Sequence, residues 1–256
     1  MLDEGGSDLV TEPTSSKHIE PKSSTQQNKN SGEGKSLDCS LNNFDAIEWL
    51  KNLEDNSVDL FITDPPYESL EKHRKIGTTT RLKNSKASSN KWFQIFPNSR
   101  FEELFLEIYR VLKNNSHFYL FCDQETAFFA KPIAESVGFK FWKPLVWDKM
   151  AIGMGYHYRA RYEFILFFEK GKRKLNDLSI PDILTVKRVH RGYPTEKPVE
   201  LLEILVKQST IASQVVCDPF MGSGSTGEAA LNLDRHFLGN DLCDEAFQVT
   251  RKRLFK

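Results

Sequence analysis

Hydrophobic positions along the chain follow two alternating rhythms. Ile47, Leu50 and Leu53 recur at helical spacing behind Asp45, and the apolar run Val58–Thr63 that follows reads as a buried strand. Phe101, Leu104, Phe105, Ile108 and Leu112 mark one helix face, which leads through Lys113–Ser116 into the strand His117–Cys122. A helix from about Gln124 to Ser136 precedes strands around Phe139–Trp147 and Glu163–Phe168. A helix over Lys197–Gln208 carries Pro198 near its first turn, where a missing N–H costs nothing. The strand Val215–Cys217, the helix Glu228–Leu233 and the strand His236–Gly239 complete the pattern. Such alternation predicts an α/β fold, doubly wound, with a mostly parallel sheet covered by helices on both faces.

Two stretches break the rhythm. Residues 1–36 hold no Phe, Trp or Tyr and cannot bury enough apolar area to offset ordering entropy, so they read as a disordered polar tail before a domain spanning 37–256. Residues 68–100 carry eight Lys or Arg against two Glu and read as a long, basic, mobile loop. Residues 171–190 form a shorter basic connector.

Charge narrows the functional classes. Lys plus Arg equals Asp plus Glu at 35 each, so any polyanion surface must be a local patch. No apolar run reaches the roughly 18 residues that span a bilayer, and the amino terminus lacks a signal-peptide pattern, so a cytoplasmic protein with no membrane partner is expected. Cys39, Cys122, Cys217 and Cys243 are scattered without metal-ligand spacing, so no metal is expected and buried thiols are the plain reading.

Two motifs carry chemistry. The first, Asp218-Pro219-Phe220-Met221-Gly222-Ser223-Gly224-Ser225-Thr226-Gly227, lies between a strand and a helix, with Asp241 just past the next strand. Glycines at such a turn let backbone approach a ligand, the helix start offers free N–H groups, and an acid ending the next strand can accept from ribose hydroxyls. A nicotinamide dinucleotide would fit this pattern as well. Asp218 favours instead a cationic ligand over a pyrophosphate, which points to S-adenosylmethionine. The second motif is Asp64-Pro65-Pro66-Tyr67, directly after an apolar strand. An aromatic amino nitrogen is a weak nucleophile until acceptors hold its hydrogens. The Asp64 carboxylate and the Pro65 carbonyl supply two. Pro66 helps fix the backbone, and Tyr67 offers a face to a base turned out of a duplex.

With these residues the chain resembles the amino-methyltransferase family of DNA methylases (N6-adenine and N4-cytosine), in the circular order that places the catalytic motif before the cofactor motif. The resemblance covers roughly residues 37–256 and also rests on Arg110–Lys113 and Pro194–Pro198. It departs mildly at Ser225, where the family commonly has Thr and where Thr226 can compensate, and at Asp241, where Glu is frequent. It implies a seven-stranded Rossmann-like sheet and catalysis by Asp64, Pro65, Pro66 and Tyr67. The implied cofactor is S-adenosylmethionine, held by Asp218, Pro219, Phe220, Gly222, Ser223, Gly224, Thr226 and Asp241. By the same carry-over, Asp45 and Ala46 flank the cofactor adenine, and Thr195 and Lys197 hold its carboxylate end; a helix-capping Asp45 and a solvated Lys197 are the plainer alternatives. In that family Asp at the first catalytic position leans to adenine and Ser to cytosine. Adenine N6 is therefore the expected target, with cytosine N4, an RNA or protein-glutamine substrate, and a catalytically dead binding module as alternatives.

The implied partner is DNA with its target base flipped out, in a setting such as restriction–modification. Lys72, Arg74, Lys75, Arg81 and Lys83 of the basic loop, with Tyr156, Tyr158, Arg159 and Arg161 of the region 149–192, are the candidate DNA contacts. The region before Pro194 is short, so recognition falls partly to the 68–100 loop or to a second subunit of a homodimer.

Overall fold

The computed structural model describes residues 22–28, 37–69, 94–153, 158–189, 193 and 195–255. In chain order the elements are β1 (Lys22–Asn28), β2 (Leu37–Asn43), α1 (Ala46–Lys51), β3 (Val58–Thr63), α2 (Phe101–Val111), β4 (Leu112–Cys122), α3 (Gln124–Val137), β5 (Lys140–Asp148) and β6 (Tyr162–Lys170). They continue with β7 (Ile183–Thr185), α4 (Val199–Ser209), β8 (Val215–Asp218), α5 (Ser225–Asn232), β9 (His236–Asn240) and α6 (Asp244–Leu254).

All six residues of β3 are buried, because the strand lies mid-sheet with helices on both sides. Successive side chains alternate between two cores. Leu60 and Ile62, with Tyr119 and Phe121 of β4, face Leu201, Leu205 and Val206 of α4 and Ala229 and Ala230 of α5. Phe61, with Phe118 and Leu120 of β4, faces Ile47 and Leu50 of α1 and Leu104, Phe105 and Ile108 of α2. Each such side chain removed from water contributes on the order of 1.5–3 kcal/mol before entropy is subtracted.

The strands form one sheet in the order β1-β2-β9-β8-β3-β4-β6-β5-β7. β6 runs antiparallel to both its neighbours, β1 runs antiparallel to β2, and the remaining pairs are parallel. The expected seven-stranded, mostly parallel sheet is thus corrected to a mixed sheet of nine strands. The additions are the two edges. β1 lies inside the segment expected to be a disordered tail, and that expectation is corrected for 22–28. Backbone pairing to the open edge of β2 orders Lys22–Asn28 without an apolar side chain. β7 is three residues paired to β5 inside the expected connector.

Parallel pairing brings the carboxyl ends of β2, β9, β8, β3 and β4 to one edge. From β3 and β8, adjacent at Leu60↔Val216 and Phe61↔Cys217, the strand order proceeds in opposite directions. A crevice opens outside the strand ends at such a switch point. At the far edge the buried Asp59 accepts from Lys113 Nζ (2.9 Å), Gln214 Nε2 (3.1 Å) and Val215 N–H (3.0 Å), tying β3 to the starts of β4 and β8. Cys39, Cys122 and Cys217 are buried free thiols. Among the described residues no helix is long and apolar enough to cross a membrane, and no cluster of three His, Cys, Asp or Glu could hold a metal.

Candidate active site

The two sequence motifs leave adjacent strands at the switch point and open into one cavity of about 550 Å³. Asp64, Pro65, Pro66 and Tyr67 line it together with Asp218, Phe220, Gly222, Ser223, Thr226 and Asp241, and Asp45, Ala46, Thr195 and Lys197 line it as well. Pro219 and Gly224 are not among the lining residues. Gly224 instead caps α5 with φ +79°, and a Cβ there would meet Thr250 Cγ2 at 2.7 Å. Gly222 adopts φ +51° and does face the cavity. The turn is held by Met221 N–H donating to Asn240 O (2.9 Å) and by Thr250 Oγ1 donating to Gly222 O (2.8 Å).

The cavity is acidic. Asp218 accepts from Thr63 Oγ1 (3.1 Å) and Phe220 N–H (3.0 Å) at Oδ1 and from Thr226 Oγ1 (2.8 Å) at Oδ2. It braces β8 against β3 and α5 as well as bringing charge, and burial still pushes its pKa up to about 7. Asp241 accepts from Gly222 N–H (2.9 Å) and Cys243 N–H (2.9 Å), and burial raises it to about 6. Asp64 is raised to about 6, again chiefly by burial, against the opposing pull of Lys197. One buried and two half-buried carboxyls in one cavity favour a ligand bearing positive charge and hydrogen-bond donors.

Lys197 is not the solvated lysine of the plainer alternative: its buried ammonium lines the cavity, donates to Asp64 Oδ2 and sits 2.8 Å from Glu163 Oε1. Glu163 in turn meets Lys149 Nζ at 2.7 Å. Burial would lower the Lys197 pKa, but the two carboxylates raise it. Asp45 is a helix cap, accepting from Ile47 N–H (3.1 Å) and Glu48 N–H (3.3 Å), and it also lines the cavity.

Several site residues were not anticipated. The end of the 68–100 stretch is not loose. Phe96 N–H donates to Pro66 O (2.7 Å), and the Phe96 ring packs edge-on against Phe101 and Phe220 at 5.3 and 5.1 Å. Arg100 clasps Asp45 through two hydrogen bonds of 2.7 and 2.8 Å. An aromatic in a polar stretch was the available signal for Phe96. Tyr193, beside Gly222, lines the cavity too.

The DNA candidates divide. Lys72, Arg74, Lys75, Arg81, Lys83 and Tyr156 lie outside the described residues. Tyr158 and Arg159 are exposed in the connection between β5 and β6, whereas Arg161 is held by both oxygens of Asp148 at 2.7 Å. The basic run 170–174 starts at the opposite sheet edge. Lys170 is buried there, donating to Tyr109 O and Leu112 O, so that start is not a free phosphate-binding surface.

An α/β sheet with an acidic nucleoside-sized cavity between a Gly turn and an Asp-Pro-Pro-Tyr strand end defines a class of group-transfer enzyme. Residues 58–252 match the DNA methylase family of N6/N4 type, and the chain belongs to that family. It is 29% identical over 237 residues to the type II methyltransferase M.HpaI of Haemophilus parainfluenzae, covering 82% of this chain and 72% of that one. It is 30% identical over 211 residues to the putative methylase YubD of Escherichia coli K12, covering 82% and 87%. Among solved structures, the M1.HpyAVI–SAM complex superposes with a TM-score of 0.62 at 26% identity, over 84% of this chain and 99% of that one.

Proposed function

We propose that this DNA methyltransferase uses S-adenosylmethionine to methylate the N6 amino group of adenine in duplex DNA. The observation that carries the reading is the single cavity shared by Asp64–Tyr67 and the Asp218–Thr226 turn, closed by Asp241. S-adenosylmethionine would supply an electrophilic methyl on a sulfonium; as the N–C bond formed and the S–C bond broke, S-adenosylhomocysteine would leave and the amino nitrogen would pass one proton through the Asp64 carboxylate to solvent. The residues fit that ligand. Asp241, at the exit of β9, is placed to accept from ribose hydroxyls while it orders the Gly222 turn. Asp218 and Asp64 bring negative charge to the cavity, suited to a cationic ligand. Asp45 and Ala46 border the adenine side, with Arg100 keeping Asp45 in place. Thr195 serves the carboxylate end.

On the substrate side, Asp64 and the Pro65 carbonyl accept the two amino hydrogens and turn the nitrogen lone pair towards the methyl. The Pro66 carbonyl is committed to Phe96, which leaves the second acceptor to Pro65. Tyr67, with a pKa raised by burial, stays a neutral stacking face for the flipped base. Tyr158 and Arg159, exposed between β5 and β6, meet the duplex together with the basic stretch Lys72–Lys83.

The test is to incubate duplex DNA with the protein and methyl-labelled S-adenosylmethionine, digest it, and weigh the nucleosides. N6-methyldeoxyadenosine is expected. N4-methylcytidine deoxynucleoside would overturn the choice of base, and label only on RNA or protein would overturn the substrate class.

A further inference from the structure

The charged row beside Asp64 has a job that neither a cofactor contact nor a folding contact explains well. Asp64 directly follows β3, Glu163 is the second residue of β6, Lys149 follows β5 and Lys197 precedes α4. Four separate elements thus bring two carboxylates and two ammonium groups together at the cavity wall. Lys197 and Glu163 side chains are each only 11% exposed. An ion row so deeply buried adds little stability over apolar packing, because desolvation offsets the Coulomb gain. At Asp64, however, its effect is direct. Lys197 engages Oδ2, which orients the carboxylate and reserves Oδ1 for the incoming amino group.

Resting on the reading of Asp64 as the amino acceptor, we infer that Lys197 and Glu163 are positioning residues for Asp64. Lys197 holds it ionised and oriented, and Glu163, anchored by Lys149, draws the Lys197 ammonium partly away so that Asp64 keeps its basicity. Two carboxylates share one ammonium, so each partner's loss acts oppositely on Asp64. The other titratable groups around Asp64 are Asp218 from β8, Cys122 from β4 and Tyr67 from its own turn. None of them supplies positive charge, so Lys197 is the main lever, with Lys149 behind Glu163.

Single-turnover methylation rates against pH, on duplex DNA, test this with three variants. Lys197→Gln removes the positive charge and moves the acid limb of the profile upward by about 1–3 pH units, the range for losing an opposite charge at contact. Glu163→Gln removes the like charge and moves the same limb downward. Lys197→Arg keeps the charge and restores the limb towards the wild-type position. S-adenosylhomocysteine affinity, measured by calorimetry, is unchanged in all three. Limbs that move together, or not at all, overturn the inference. So does Lys197→Gln losing S-adenosylhomocysteine affinity without a limb shift, which would return Lys197 to the cofactor. Should Lys197→Gln fail to fold by thermal melting, the downward limb of Glu163→Gln and the recovery in Lys197→Arg decide alone. Asp64→Asn is the control: wild-type rates in that variant would sink the acceptor reading itself, whereas its inactivity with unmoved limbs elsewhere would sink only this inference.

Discussion

Gly224→Ala is the substitution whose cost follows most directly from the coordinates. Gly224 sits at φ +79°, ψ 16° at the start of α5, a left-handed conformation that costs an alanine about 1–2 kcal/mol. The added Cβ would also stand 2.7 Å from Thr250 Cγ2 and 2.9 Å from Thr250 Oγ1. Thr250 belongs to the buried face of α6 and holds Gly222 O through its hydroxyl, so it cannot swing away without releasing the cofactor turn. Overpacking of this kind costs roughly 1–3 kcal/mol. The total, about 2–5 kcal/mol, is a large fraction of the ~5–15 kcal/mol that holds a domain folded. Urea unfolding of the wild type, Gly224→Ala, Thr250→Ala and the double variant measures it. The double variant should recover the packing part, about 1–3 kcal/mol, but not the backbone part. S-adenosylhomocysteine binding should weaken in Gly224→Ala, because the shifted turn carries Gly222 and Ser223. A loss under about 1 kcal/mol, or no recovery in the double variant, would refute the assignment of Gly224 to helix packing.

Other outcomes follow from the same geometry. Asp64→Asn should keep the fold and S-adenosylhomocysteine binding while single-turnover methylation falls on the order of 100-fold or more, the scale for removing one preorganised polar group; a smaller loss would contradict the acceptor role. Asp218 has its pKa raised from 3.8 to about 7, so its contribution to stability is full below about pH 4 and is lost as pH rises through about 7. Asp218→Asn should flatten the stability curve between those limits by on the order of 3–4 kcal/mol, read from urea unfolding across pH. Parallel curves for the two proteins would show that Asp218 is not ionising in a buried site. Arg100→Ala should weaken S-adenosylhomocysteine binding and lower stability by about 0.5–2 kcal/mol, the value of a hydrogen bond to a charged group discounted for partial exposure. Calorimetry and urea unfolding check both; unchanged binding would leave Asp45 with the cap alone.

What the residues disclosed by themselves depended on how local the signal is. β3 and α2 were legible because burial on both faces or on one helical stripe writes itself into consecutive side chains, as at Leu60–Ile62 and Leu104–Ile108. The Asp64–Tyr67 and Asp218–Thr226 turns were legible because tight turns and special backbone need particular residues in order. β1 was invisible, since Lys22–Asn28 is polar and is ordered by backbone pairing. β2 does alternate, with Leu37, Cys39, Leu41 and Asn43 on the buried face, but so short a period-two run beside a polar segment carries a weak signal. Glu163 and Lys149 were out of reach for another reason. Their role arises only where antiparallel β6 returns to the end of β3's neighbour β4, a juxtaposition made by topology. Lys197 is marked by its motif, but its pairing with Asp64 and Glu163 is not legible there, because Glu163 lies in a different strand.

The most direct measurement is a crystal structure of the protein with S-adenosylhomocysteine and a duplex bearing its target site. The extruded base's amino nitrogen should lie within about 3 Å of both the Asp64 carboxylate and the Pro65 carbonyl, facing the thioether sulfur across the cavity. A base held elsewhere, or an Asp64 turned from the amino group while the complex is fully formed, would contradict this placement.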